Sequence, residues 1–224
     1  MYRLNGVLKD GKIAAMRTRF AGQNMGLQDS KTFDGTKPNN DMVEGFVEDY
    51  LETIPDYHFT DVPTDAPLPV MWWRSVYSST NNFAYESFMD EMAVAAGKDP
   101  LEFRKAHLKS ERVKKLLDKL SAMSGWANRK KGEGYGVAIT HCFGSFSGQV
   151  VKVSKNESGG VKIDKVFAVM DCGWYVNPDI IRAQVEGSIQ MGYGAAVVHE
   201  THFIDGKAVE KNFNEYNLPV LGDF

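Results

Sequence analysis

Hydrophobic and polar residues alternate at the start of the chain with the period of a β-strand. Two β-prone runs, 2–8 and 13–20, flank the turn Lys9–Lys12, whose Asp-Gly step is typical of a β-hairpin. Period two returns in five later runs: 135–143, 149–154, 161–171, 199–204 and 208–213. Turns at 156–160 and at Asp205-Gly206 predict two further hairpins.

Apolar residues at helical spacing predict three consecutive helices: 82–96, 100–108 and 111–123. We expect Ser79 or Thr80 to cap the first of them, and Gly97 to end it in the left-handed conformation. Asp99 is expected to cap the second helix, with Pro100 at its first position. A fourth, glycine-rich helix is predicted over about 178–197.

The segment between the first hairpin and the helices has a different composition. Residues 22–41 are polar and predict a loop, 42–57 predict a short helix followed by an extended piece, and four prolines keep 55–70 extended. Because helices and strands come in blocks, we expect an α+β fold, with helices packed on a mixed or antiparallel sheet built from hairpins. We divide the chain into a hairpin and extended segment at 1–70 and an α+β domain at 71–224.

Composition excludes several classes of function. The net charge of −3 gives no basic surface for nucleic acid, and no apolar run approaches the ~20 residues that span a bilayer, so no membrane insertion is expected. The two cysteines, Cys142 and Cys172, are too few for a disulfide framework, a structural zinc site or an iron–sulfur cluster. No metal site is therefore expected within this chain.

The glycine-rich helix is the first candidate for chemistry. Gln184, Gly187 and Gly194 fall three or seven positions apart and share one face. Each interior glycine costs a helix about 0.8–1 kcal/mol relative to alanine, so close approach of a ligand or another backbone would explain them. Gln184 offers one acceptor and two donors to a polar heterocycle or phosphate. The alternative is tight packing of the helix on a sheet, with Gln184 bonded to a loop.

A second candidate is Arg74, which lies among aromatic residues just before a predicted helix. A guanidinium beside a helix N-terminus suits an anion or a carbonyl group. The alternative is a buried arginine that loop carbonyls satisfy.

Two other motifs carry weaker signals. His199 and His202 lack the spacing of zinc hydrolases, and on a strand they would point to opposite faces. The pair His141-Cys142 could supply a nucleophile, but an ordinary buried thiol explains it as well.

Five motifs occur in the order found in one family: WRSV at 73–76, FAYESFMDE at 83–91, AAGKDPLEFR at 95–104, DCG with VNPD at 171–179, and QVEG at 184–187. Together they resemble the molybdopterin-binding large (beta) subunit of the isoquinoline 1-oxidoreductase branch of the xanthine dehydrogenase and aldehyde oxidase family. The resemblance is weakest at 22–70. It identifies 71–224 as part of a molybdopterin-binding α+β domain.

The resemblance implies a molybdenum hydroxylase that inserts oxygen from water into N-heterocycles or aldehydes. It implies a molybdenum–molybdopterin cofactor and a small partner subunit whose iron–sulfur clusters take the electrons. Gln184 matches a glutamine that binds the cofactor, with Gly187 beside it, and Arg74 matches an arginine of the substrate-pocket loop. Asp171 and Asn177 match structural residues that set the turn and cap the helix.

The chain also departs from the family pattern. Tyr77 stands where this branch often has glycine, and the Gly-Glu-Pro-type motif that carries the family's general base is absent from the sequence. We therefore expect an internal, inactive fragment of a bacterial-type large subunit, cytoplasmic or periplasmic. The rival interpretation is a non-catalytic scaffold or partner-binding domain of the same fold.

Overall fold

The computed structural model describes residues 1–26, 40–45, 48–64, 68–130, 132–157 and 159–220. Its strands are β1 (Tyr2–Lys9), β2 (Lys12–Gly22), β3 (Asp56–Pro63), β4 (Gly134–Cys142), β5 (Ser145–Lys155), β6 (Val161–Asp171), β7 (Phe203–Ile204) and β8 (Lys207–Ala208). Its α-helices are α1 (Glu48–Thr53), α2 (Ser78–Ala95), α3 (Pro100–Ala106), α4 (Glu111–Ser124) and α5 (Pro178–Tyr193). The predicted α+β class is confirmed.

The first sheet has the order β1-β2-β3. β1 and β2 form the predicted antiparallel hairpin, whose turn residues Asp10 and Gly11 both have positive φ angles. β3 joins β2 in parallel, so part of the predicted extended segment 55–70 is a strand. Most of the loop predicted at 22–41 lies outside the described residues.

The second sheet is antiparallel, with the order β4-β5-β6, and its three strands follow the predicted runs closely. Helix α2 packs against β1 and β4, and α4 packs against β5 and β6. The apolar face of α4, which includes Val113, Leu116 and Leu120, is buried in a core that also contains Ile13 of the first sheet and Val150 of the second. The division of the chain at residue 70 stays a prediction.

The starts of α3 and α2 test the two predicted N-caps. Asp99 caps α3 as predicted, because its carboxylate accepts hydrogen bonds from the backbone N–H groups of Leu101 and Glu102. The prediction that Ser79 or Thr80 caps α2 is wrong. The helix begins at Ser78, and both hydroxyls donate back to carbonyl oxygens of the preceding turn, at Val76 and Tyr77.

A buried ion-pair network joins α2, α3 and β4. Arg104 is wholly buried, and its Nε donates to Glu86 Oε2 at 2.8 Å while Nη1 donates to Asp90 Oδ1 at 2.6 Å. The backbone N–H of Ile139 donates to the same Glu86 oxygen at 2.9 Å. These contacts connect the motifs at 83–91 and 95–104, so their charged residues support the fold.

The end of the described chain is less regular than predicted. β7 and β8 contain two residues each, and all four residues are exposed. These strands therefore have no buried face that would stabilise a longer hairpin. Residues 194–198 continue α5 as a π-helical turn, and within the run predicted at 199–204 only Phe203–Ile204 form a strand. Across the described residues, no helix combines the length and the apolar character needed to cross a lipid bilayer.

Candidate functional site

The loop that carries Arg74 has a strained backbone. Ser75 and Val76 have φ angles of 66° and 48°, and the N–H of Val76 donates to Trp73 O at 2.9 Å to close the turn. A β-branched residue rarely adopts a positive φ, and such outliers concentrate at binding and active sites. The strain marks this loop, which leads directly into α2, as a candidate binding segment.

Asp171 fixes the turn between β6 and α5. Its carboxylate accepts from Arg112 Nε and Nη2, both at 2.6 Å, and from the backbone N–H of Gly173 at 3.1 Å. The hydrogen bond from Arg112 is the main reason that the pKa of Asp171 is lowered to about 2. Gly173 has a φ of 73°, which favours glycine. The structural role expected for Asp171 is confirmed.

Helix α5 begins as predicted but lies at the surface. Asn177 Oδ1 accepts from the N–H of Asp179 at 2.9 Å, which confirms the expected cap, and Pro178 is the first helical residue. No residue of α5, all of which are described, is buried, and Trp174 and Val176 just before it are fully exposed. Most helices in proteins are stabilised by burial of an apolar face. Because α5 buries no residue within this chain, its surface is a candidate for contact with another molecule.

The three predicted site residues meet at this exposed helix. Arg74 Nη2 donates to Gln184 Oε1 at 2.7 Å and to Gln184 O at 3.2 Å. Gly187 lies one turn further on, where an added Cβ would come within 3.9 Å of Arg74 Nη1 and within 4 Å of no other group among the described residues. Arg74 is exposed, so the alternative of a buried arginine is wrong. The other alternative holds in part, because Gln184 is bonded to a loop residue, Arg74, although no residue of α5 is buried as tight packing on a sheet would require.

A second contact attaches the same loop to the end of the helix. The Trp73 ring lies 6.4 Å from the His199 ring, which also lies 5.3 Å from Tyr216. An added Cβ at Gly194 would lie 2.5 Å from His199 Cε1, so this glycine is explained by close packing within the chain. The two His199 ring nitrogens are shielded from solvent and have no hydrogen-bond partner among the described residues.

The remaining candidates do not form a reactive site. His202 is held by Glu210 and Glu200, at 2.7 and 3.2 Å, and it does not converge with His199. Within the described part of the chain, no group of three or more histidine, cysteine or acidic side chains could hold a metal ion. Cys142 accepts a hydrogen bond from Ser78 Oγ at 3.3 Å, and burial raises the pKa of its thiol, which disfavours a nucleophilic thiolate.

Sequence reasoning misses the partners of the site residues. Arg112 has no partner among its neighbours in sequence that would mark it as a site residue, yet this arginine fixes Asp171, 59 residues further along the chain. The contacts of Arg74 with Gln184 and of Trp73 with His199 also span more than a hundred residues. Local spacing carries no signal for such pairs.

Residues 85–224 match the molybdopterin cofactor-binding domain family. The chain belongs to this family. It is 27% identical over 220 residues to the beta subunit of isoquinoline 1-oxidoreductase from Brevundimonas diminuta, a match that covers 94% of this chain and 28% of the relative. It is also 27% identical over 188 residues to a nicotinate dehydrogenase subunit of Pseudomonas putida, covering 74% of this chain and 16% of the relative.

A shorter match is 34% identical over 82 residues to the aldehyde oxidoreductase molybdenum-binding subunit PaoC of Escherichia coli, covering 35% of this chain and 11% of the relative. In all three comparisons the chain spans less than a third of the relative's length. The recognised family is confirmed, and one of these relatives is itself named as a molybdenum-binding subunit.

The donor groups of the site fit a molybdopterin cofactor. Arg74 and Gln184 place a guanidinium and a primary amide side by side, and both can donate to phosphate or carbonyl oxygens. At Gly187 the helix backbone is open to close approach from the solvent side. Both properties suit a flat, oxygen-rich group that lies against the helix.

Proposed function

We propose that this chain is an internal part of the large subunit of a molybdenum hydroxylase. The enzyme oxidises N-heterocycles or aldehydes with an oxygen atom derived from water. Family membership supports this proposal, as do relatives named for isoquinoline, nicotinate and aldehyde oxidation. The observation that carries it is the contact of Arg74 with Gln184 beside the open backbone of Gly187.

Each residue of the site has a distinct role in this proposal. Gln184 donates a hydrogen bond to the cofactor, and Gly187 lets the cofactor approach the helix backbone. Arg74 borders the substrate pocket, where its charge attracts electron-rich atoms. Asp171 and Asn177 fix the turn and the start of α5, so that the Gln184 side chain is presented in one place. When bound, the molybdenum centre supplies oxygen transfer and accepts two electrons.

Other polypeptide must complete the catalytic site. Hydroxylation by this family requires a general base, and no residue of this chain matches the family's glutamate motif. A small partner subunit with iron–sulfur clusters then takes the electrons away. The isolated 224-residue chain is therefore inactive.

The alternative is a non-catalytic scaffold or partner-binding domain of the same fold. The full exposure of Trp174 and the exposed ring of Tyr175 favour it, because exposed aromatic residues are common at protein–protein interfaces. The sequence that flanks this chain in its gene discriminates the two. A downstream Gly-Glu-Pro-type motif supports the enzyme, and a stop codon directly after Phe224 supports the scaffold.

Expression in a host that makes molybdenum cofactor tests the proposal. The full-length gene product, produced with its adjacent subunit gene, should contain about one molybdenum per large subunit and oxidise N-heterocycles or aldehydes with an artificial electron acceptor. The 224-residue chain, produced in the same way, should contain no stoichiometric molybdenum. A metal-free full-length protein contradicts the function, and turnover by the short chain contradicts its assignment as an inactive part.

A further inference from the structure

We propose that Arg74 is a positioning residue that fixes the orientation of the Gln184 side-chain amide. In that orientation Arg74 holds the amide oxygen, and the NH2 group is the part of Gln184 that meets the cofactor. The amide would then favour a hydrogen-bond acceptor, such as a phosphate or carbonyl oxygen, over an N–H donor. This inference rests on the proposed function, and it defines the chemistry of the atom that Gln184 binds.

The argument begins with the donor character of arginine. A guanidinium carries five N–H donors and no acceptor, so only an oxygen of Gln184 can face it favourably. Arg74 Nη2 lies 2.7 Å from Gln184 Oε1 and 3.2 Å from the backbone oxygen of the same residue. Rotating the amide by half a turn would bring its NH2 group against the guanidinium. Two donors would then face each other.

The contact with Arg74 also determines which end of the Gln184 amide is available to a ligand. A free glutamine amide turns readily about its last bond and can offer either its oxygen or its NH2 group. With Oε1 held by Arg74, the two N–H bonds of Nε2 remain for a ligand. The positive charge of Arg74 next to this donor favours an anionic or electron-rich acceptor.

The backbone of Arg74 is itself held on both sides. The turn that contains Ser75 and Val76 closes through the hydrogen bond from Val76 N to Trp73 O. Ser75 Oγ donates to Arg74 O at 2.6 Å, and the Trp73 ring packs near the His199 ring. The segment that carries the guanidinium is therefore fixed both by its own turn and by a contact beyond the end of α5.

Gln184→Glu separates the two functions of the amide. A glutamate at position 184 still offers Arg74 a side-chain oxygen and the backbone oxygen, and its negative charge strengthens the hydrogen bond. Its side chain has no N–H group to donate to the cofactor. In the full-length protein from a cofactor-producing host, we expect Gln184→Glu to keep the wild-type melting temperature and lose about tenfold or more of its molybdenum per chain. Ala183→Glu is the matched control, because it adds the same charge at the neighbouring exposed position and should stay fully loaded.

Arg74 variants test the positioning role without altering Gln184. Arg74→Ala frees the amide and should lower molybdenum content, and Arg74→Lys should restore much of it because lysine also donates to Oε1. A Gln184→Glu protein as rich in molybdenum as Ala183→Glu overturns the inference. Full loading of Arg74→Ala also overturns it, even if Gln184→Glu fails to fold. A wild-type protein without molybdenum overturns the proposed function instead.

Discussion

Glu86 Oε2 accepts two buried hydrogen bonds, one from Arg104 Nε at 2.8 Å and one from the backbone N–H of Ile139 at 2.9 Å. One carboxylate oxygen thus joins helix α3 and strand β4 to helix α2. Arg104 has further acceptors in Asp90 and in the carbonyl oxygens of Glu86 and Pro100. The buried guanidinium of Arg104 therefore has two carboxylate partners, the buried Glu86 and the partly exposed Asp90.

Removing Glu86 should therefore destabilise the fold strongly. Glu86→Ala leaves the Arg104 charge short of a buried partner and the Ile139 N–H unpaired, which typically costs about 3–5 kcal/mol. Urea unfolding followed by circular dichroism measures the change. Glu91→Ala is the control, since Glu91 is exposed on the same helix and its loss should change the free energy of unfolding by less than about 0.5 kcal/mol. A similar midpoint for both variants would show that the network contributes little.

Sequence predicts most of this fold because local rules decide it. The Asp99 cap, the left-handed Gly97 and the hairpin turn at Asp10-Gly11 need only neighbouring residues, and all three occur as expected. The start of α2 differs from the prediction because Ser79 and Thr80 bond to their own preceding turn. Strands β7 and β8 are shorter than predicted because β-propensity without a buried face does not sustain pairing.

The sequence predicts the members of the candidate site but not their contacts with one another. Spacing places Gln184 and Gly187 on one face of a helix, and motif order singles out Arg74. The assignment of Gly194 to the same open face is incomplete, because His199 occupies the space beside it. Contacts between residues a hundred positions apart depend on the packed sheets and helices between them, which periodicity does not encode.

The pair of Arg112 and Asp171 should make stability depend on acid pH. The pKa of Asp171 falls from an ordinary 3.8 to about 2 in the folded chain, so its contribution is complete above about pH 4 and is lost as pH falls towards 2. Asp171→Asn removes the charge but keeps an oxygen for Gly173. We expect the stability difference between wild type and Asp171→Asn to be modest at pH 6, because the carboxylate is 37% exposed, and to vanish near pH 2. Urea midpoints of both proteins at pH 6, 4 and 2 measure it, and a pH-independent difference would contradict the assigned pair.

Two glycines of the same helical region should respond in opposite ways to alanine. An added Cβ at Gly194 would lie 2.5 Å from His199 Cε1 and 3.0 Å from Pro219 Cγ, so Gly194→Ala should destabilise by about 1–3 kcal/mol. At Gly192 an added Cβ meets nothing within 4 Å, so Gly192→Ala should stabilise by about 0.5–1 kcal/mol through helix propensity. Thermal unfolding of both variants measures these changes in stability relative to wild type. Equal effects would mean that His199 is not held against α5.

Gly187→Ala gives the most direct test that the open face of α5 holds the cofactor. The added methyl group meets only Arg74 Nη1 at 3.9 Å, an ordinary contact, so the folded chain itself should tolerate it. A cofactor pressed against the backbone would not tolerate it, so full-length Gly187→Ala should lose about tenfold or more of its molybdenum per chain. Gly192→Ala, about 140° away around the helix, should load normally. Equal molybdenum in the two variants, at equal thermal stability, would contradict the account.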